Sequence, residues 1–107
     1  MALVGEMHNQ LTIATDAVDA MVRIADDLRF DNTDDIAVAM LTRKSIAAEA
    51  LVETVRRAID VVGGAGYSRH LPLERHLRDV LGCSFHPLPL HKQVRFTGRV
   101  LLGASPV

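Results

Sequence analysis

The sequence predicts an all-α protein, an antiparallel helical bundle of two long helices and two shorter ones, folded as a single domain over residues 1–107. Three observations predict it. Two stretches each carry eight positions at alternating steps of three and four, apolar with one exception, and that spacing gathers side chains on one face of a helix. Short breaks rich in Asp, Asn, Gly and Pro separate these stretches and follow them. Nowhere does the chain alternate with the period of two that marks a strand, or repeat at a solenoid period.

The first stripe is Val4, Met7, Leu11, Ala14, Val18, Met21, Ala25 and Leu28. It predicts one amphipathic helix from about Leu3 to Arg29, roughly 40 Å long at 1.5 Å per residue. The segment FDNTDD that follows favours turns and helix starts; Asn32 or Thr33 is placed to cap the next helix, with Asp34 and Asp35 at its positive end. A helical hairpin results. The second stripe is Ala37, Leu41, Lys44, Ala48, Leu51, Val55, Ala58 and Val62, with Lys44 as its polar interruption. Ala39, Met40, Ile46, Ala47, Ala50, Val52 and Ile59 widen it, so this helix is expected to be central and covered on more than one side. Its apolar circumference exceeds what one short and one final helix can cover, which predicts self-association.

Gly63, Gly64 and Gly66 close the second helix and are expected to carry the backbone through φ > 0 conformations closed to other residues. Pro72 suits the first turn of a new helix, Glu74 lies near its positive end, and Leu73, Leu77, Val80 and Leu81 supply its buried side before Gly82 stops it. Pro87 and Pro89 bend the chain and are tolerated only at a helix start, so a last helix begins close behind them. Leu90, Val94 and Leu101 are expected on one face of it, Lys92, Arg95 and Arg99 toward solvent, and Gly103 at its end.

Composition narrows the functional classes. Hydrophobic residues make up 49% of the chain, enough to supply a core, and 12 Lys and Arg are interspersed with 13 Asp and Glu. A net charge of −1 gives no field for nucleic acid or an anionic membrane. No apolar run approaches the length of a membrane span and no basic segment precedes an apolar one at the start, so the reading is a soluble, cytoplasmic protein. Cys83 is alone, so no intramolecular disulfide forms. His70, His76, His86 and His91 lack the spacing of three or four that makes a helical chelate, and no metal is expected. Arg75, Arg78 and Asp79 read as a structural ion-pair network near the glycine turn.

The glycine turn is not a dinucleotide-binding loop of the Rossmann kind, because it follows a helix where that loop follows a strand. Physical reading of the residues makes it a helix stop. The run Gly63, Gly64, Gly66, Tyr67, Arg69, Pro72, Glu74, Arg75, Arg78 and Asp79, extended back through Lys44 and Glu49 and forward to Gln93 and Arg99, resembles the helical carboxyl-terminal domain of the acyl-CoA dehydrogenase superfamily of flavoenzymes. The resemblance covers nearly the whole chain. It implies a shared cofactor, flavin adenine dinucleotide (FAD), approached through its pyrophosphate and adenine portion by Gly63, Gly64 and Gly66 from a neighbouring subunit, with Gln93 as a further contact. Glycine N–H groups can meet a phosphate closely. Where the family often has a glutamine three residues before the glycine pair, this chain has Asp60, whose carboxylate donates no hydrogen bond and repels phosphate.

In many acyl-CoA dehydrogenases a glutamate in the last bend removes the α-proton of the thioester. By count from Arg78 and Asp79, Pro87 occupies that place and Pro89 that of a flavin-bonding threonine, so the general base is missing. His86 falls where flavin monooxygenases of the same superfamily often carry a histidine, and an imidazole there is a candidate acid–base group. The resemblance therefore implies a subunit or carboxyl-terminal portion of a flavoprotein that oxidises acyl-CoA thioesters, inactive alone, paired with a separately encoded amino-terminal half or assembled as a homo-oligomer. A piece of a flavin monooxygenase and a non-catalytic oligomerisation module are the alternatives.

Overall fold

α2 (Asp34–Val62) forms the spine of the molecule, and in the computed structural model, which describes residues 1–107, each of the other helices packs against it. They are α1 (Ala2–Ala25), α3 (Leu73–Leu81) and α4 (Leu90–Leu101). Glu6 reaches Arg57, while Val18 shares a groove with Leu51, so α1 and α2 run antiparallel. The whole is elongated, 49 × 24 × 23 Å.

The connection between the long helices departs from expectation. α1 does not continue to Arg29; it stops at Ala25, where Asp26 turns left-handed (φ 45°, ψ 53°) and returns its N–H to the carbonyls of Arg23 and Val22. Asp27 (φ 54°) and Leu28 (φ 64°) stay in the same region. Aspartate visits this conformation more readily than most residues, and the two aspartates here end the helix before Leu28 can join its stripe. Leu28 is therefore exposed. Thr33 then caps α2, its hydroxyl accepting from the Ile36 N–H at 3.3 Å, with Asp34 and Asp35 in the first turn where the helix end favours negative charge.

The seam is built from small residues. The buried apolar side chains are Ala14 and Ala17 of α1 and Ala47, Ala48, Ala50 and Val52 of α2, and no large side chain is fully buried. α1 is also rolled relative to the expected stripe. Ala14, Ala17, Met21 and Ile24 turn inward, whereas Val4, Leu11 and Val18 remain on an open flank. Alanine at the contact lets two backbones approach closely, and this selects the roll over the one that would centre the larger aliphatics. Around α2, residues 36–45 are all at least half-covered, in keeping with a central helix.

α4 follows Pro89 and ends in a Schellman turn: Gly103 (φ 74°) returns its N–H to Val100 at 3.0 Å and Ala104 to Arg99 at 2.9 Å. Its expected apolar face is not its buried one. Leu90, Val94 and Leu101 line an open groove of about 420 Å³ against Thr42, Ser45 and Ile46 of α2, and Leu101 is 74% exposed. The residue that α4 buries is Gln93. Among all four helices none is long and apolar enough to cross a membrane.

Candidate functional site

The residues singled out in the sequence lie at two stations along α2. One is the glycine turn at its carboxyl end; the other is the Phe85–Pro89 bend and the start of α4, which meet α2 near Thr42 and Lys44. From Lys44 to Gly63 the helix rises about 28 Å at 1.5 Å per residue, so no single small group touches both.

At the turn, the three glycines serve different ends. Gly63 closes α2 with φ 69° and ψ −146°, a backbone state essentially reserved for glycine, and donates its N–H to Ile59. Gly66 is buried, and a Cβ on it would stand 2.8 Å from Ile59 Cγ2 and 3.3 Å from Ile59 Cα. It is glycine because the short 3₁₀ turn Gly63–Tyr67 folds back onto the last turn of α2. Gly64 is under neither constraint: its φ is not positive and a Cβ would meet nothing within 4 Å. The expectation of positive φ at all three positions thus holds at Gly63 alone. Gly63 and Gly64 present open space on an exposed turn, and Gly66 packs inward.

Charge at this end is shared around one guanidinium. Arg57 lies 3.5 Å from Glu6, 3.9 Å from Glu53 and 3.8 Å from Asp60, so the Asp60 carboxylate near the turn is partly offset by a cation. The expected ion pairs of Arg75, Arg78 and Asp79 are not made. On an exposed nine-residue helix such pairs gain little against the side-chain entropy they cost, and Arg69, Arg75 and Arg78 instead border an open hollow of about 430 Å³ with Glu74.

At the second station the organising residue is Lys44. Its Nζ donates to the carbonyls of Cys83 at 2.5 Å and Leu88 at 3.2 Å, tying both ends of the bend to α2. His86 and Pro87, joined by a cis peptide, project from that bend into solvent. Gln93 points the other way. It is 4% exposed, and its Nε2 donates to Thr97 Oγ1 at 2.8 Å and Thr42 Oγ1 at 3.4 Å. The sequence marks Lys44 as an interruption of an apolar stripe and as part of the family resemblance, without giving it partners. That interruption was the available signal, since a cation on a covered face must find carbonyl or carboxylate partners.

Residues 2–85 match the family described as acyl-CoA dehydrogenase, C-terminal domain. No curated protein and no solved structure matches the chain. His86, Pro87 and Gln93 lie beyond the matched segment, whereas the glycine turn, α3 and Lys44 lie within it. With most of the chain matched and an all-helical fold around one long central helix, the chain belongs to the acyl-CoA dehydrogenase C-terminal domain family.

Proposed function

We propose that this chain is the carboxyl-terminal helical portion or subunit of an FAD-dependent enzyme oxidising acyl-CoA thioesters, inactive without the remainder of that enzyme. The observation that carries the reading is the exposed turn at the end of α2, where Gly63 and Gly64 leave the space of two side chains empty within the family-matched segment. Bare backbone at an exposed turn suits close approach to a cofactor phosphate. FAD, when bound, supplies the acceptor for the hydride that leaves the thioester as its α–β bond is desaturated. The chain's own share is positional. Gly63 and Gly64 would hold the cofactor's phosphate edge, and Gly66 keeps the turn folded against Ile59.

Neither Pro87 nor Pro89 can exchange a proton, so the base that takes the α-proton belongs to the remainder of the enzyme, whether on the same polypeptide or on a separately encoded amino-terminal half. A second reading, a piece of a flavin monooxygenase, draws on one observation. The His86 imidazole is solvent-facing on a bend tied to α2 at both ends, where it could pass a proton to or from a substrate held by another domain.

Gly64→Val tests the main reading. Because Gly64 has neither positive φ nor a close neighbour, the variant keeps its fold, while the added branched side chain fills the space the phosphate would use. Native mass spectrometry with FAD, with and without an amino-terminal acyl-CoA dehydrogenase half, should show a flavin-bound species for the parent chain and none for Gly64→Val. Equal flavin retention by both overturns the assignment of the turn as the contact.

A further inference from the structure

Charge is unevenly placed along this chain. Residues 80–107 contain three cations, Lys92, Arg95 and Arg99, and no Asp or Glu, in a chain whose net charge is −1. All three belong to α4, whose first turn carries no acidic residue. At about 100° per residue they fall within roughly 60° of one another, on the side of the helix away from Leu90, Val94 and Leu101. None of them pairs with a carboxylate, whereas Arg29, Arg56 and Arg57 do.

Beside the three cations lies a hollow of about 380 Å³, within the ~300–1,000 Å³ of small-molecule sites. Its apolar side is formed by Leu88, Phe96 and Pro106, each half-buried. Arg99 shapes its far wall, because its Nε donates to the Ser105 carbonyl and so draws the segment after α4 back along the helix. The two terminal amino groups of that guanidinium make no hydrogen bond within the chain. The hollow beside α3 differs, since Glu74 stands there among the arginines and offsets their charge.

We propose that the hollow between α4 and the segment behind it binds a phosphate monoester with an apolar body. The head group sits on Lys92, Arg95 and Arg99, and the body lies against Leu88 and Phe96. Arginine offers phosphate oxygens two parallel donors and lysine adds a compact charge, so a dianionic head group answers the cations. The apolar side gains only if the same molecule brings surface to be removed from water. Three charges within about 10 Å of helix suit one small anion, where a nucleic acid needs a longer track. These residues lie beyond the family-matched segment, which ends at residue 85, and the proposal stands apart from the flavoprotein reading.

Isothermal titration of the full chain with octyl phosphate, kept below its micelle concentration, should show one site with a Kd of roughly 0.1 mM. Amide shifts in ¹⁵N NMR should centre on residues 88–106. Methyl phosphate should bind at least about tenfold more weakly for want of a body, and octanoate about tenfold more weakly for its single charge. Lys92→Gln and Arg95→Gln, both at exposed positions, should each weaken octyl phosphate about tenfold with circular dichroism unchanged. Arg78→Gln, on α3, should bind as the parent does. Phosphatidylcholine vesicles containing phosphatidic acid should not retain the chain, because the acyl body of that lipid stays in the bilayer and out of the hollow. Absence of saturable binding, equal affinity for octyl phosphate and either comparison ligand, binding untouched by Arg95→Gln, or shifts centred on residues 69–78 each overturns the proposal. So does retention on the vesicles, which would make the patch a membrane contact.

Discussion

Lys44 holds the carbonyl oxygen of Leu88 at 3.2 Å, across a sequence separation that spans the end of α2, the whole of α3 and the bend behind it. With its second bond to the Cys83 carbonyl, this one ammonium closes both ends of the segment that carries His86 and Pro87. Cys83 lies in a single 3₁₀ turn, Gly82–Ser84, and Leu88 in irregular chain, so the side chain from α2 serves both carbonyls.

Lys44→Met should keep the stem packed and remove the donors. Hydrogen bonds to a charged group contribute about 1.5–3 kcal/mol each when measured by deletion, so a loss of about 2 kcal/mol in urea unfolding is expected. Hydrogen exchange should quicken across 83–89 while α1 keeps its protection. An unchanged exchange pattern would mean that the bend is held by packing.

The three glycines of the turn should separate cleanly under Ala replacement. Gly66→Ala drives a methyl to 2.8 Å from Ile59 Cγ2 and should cost about 1–3 kcal/mol as overpacking. Gly63→Ala, at φ 69° and ψ −146°, should cost about as much through backbone strain. Gly64→Ala should lie within about 0.5 kcal/mol of the parent. Chemical denaturation of the three variants checks the order; equal losses at all three would contradict the separate roles.

Gln93→Glu places a carboxyl at a position only 4% exposed, among the hydroxyls of Thr42 and Thr97. Burial disfavours the charged form, so the folded state of this variant holds a proton that the unfolded state releases more readily. Folding is then favoured at low pH and penalised as pH rises: the variant should match the parent near pH 4 and fall below it by about 1–3 kcal/mol at pH 7. Stability that tracked the parent at every pH would show that the side chain had swung out to water.

The chain alone should not bleach FAD on addition of a saturated acyl-CoA. Pro87 has no group to take the α-proton, and the bend holds no carboxylate. If an amino-terminal partner restores dehydrogenation, His86→Ala should leave most of the rate; in the monooxygenase reading the same change should cost about a hundredfold. Anaerobic flavin absorbance distinguishes these outcomes, and bleaching by the unpartnered chain would overturn the view that its active site is incomplete.

Much of the architecture was legible residue by residue. Asn32 or Thr33 before two aspartates marks a capped helix start, with the structure choosing Thr33, Gly63 after Val62 marks a stop, Pro72 and Pro89 mark the entries to α3 and α4, and each follows from local backbone chemistry. The candidate site was legible only in part. Position along the chain located the glycines, His86 and Gln93, but it could not say that Gly66 is pressed against Ile59, that Gln93 turns inward, or that His86 stays in solvent.

The number, type and order of the helices were determined by the sequence itself, because periodicity, caps and breakers act within a few residues. The tertiary structure alone decided how those helices are rolled and what each exceptional residue answers to. A stripe sets the angles between its side chains and leaves its rotation about the axis open, so α1 settled with Ala14 and Ala17 inward and left Leu11 out. Lys44 shows the same division. Its place in the stripe is a property of the sequence, while its two carbonyl partners exist only once the bend, some forty residues on, has folded back against α2.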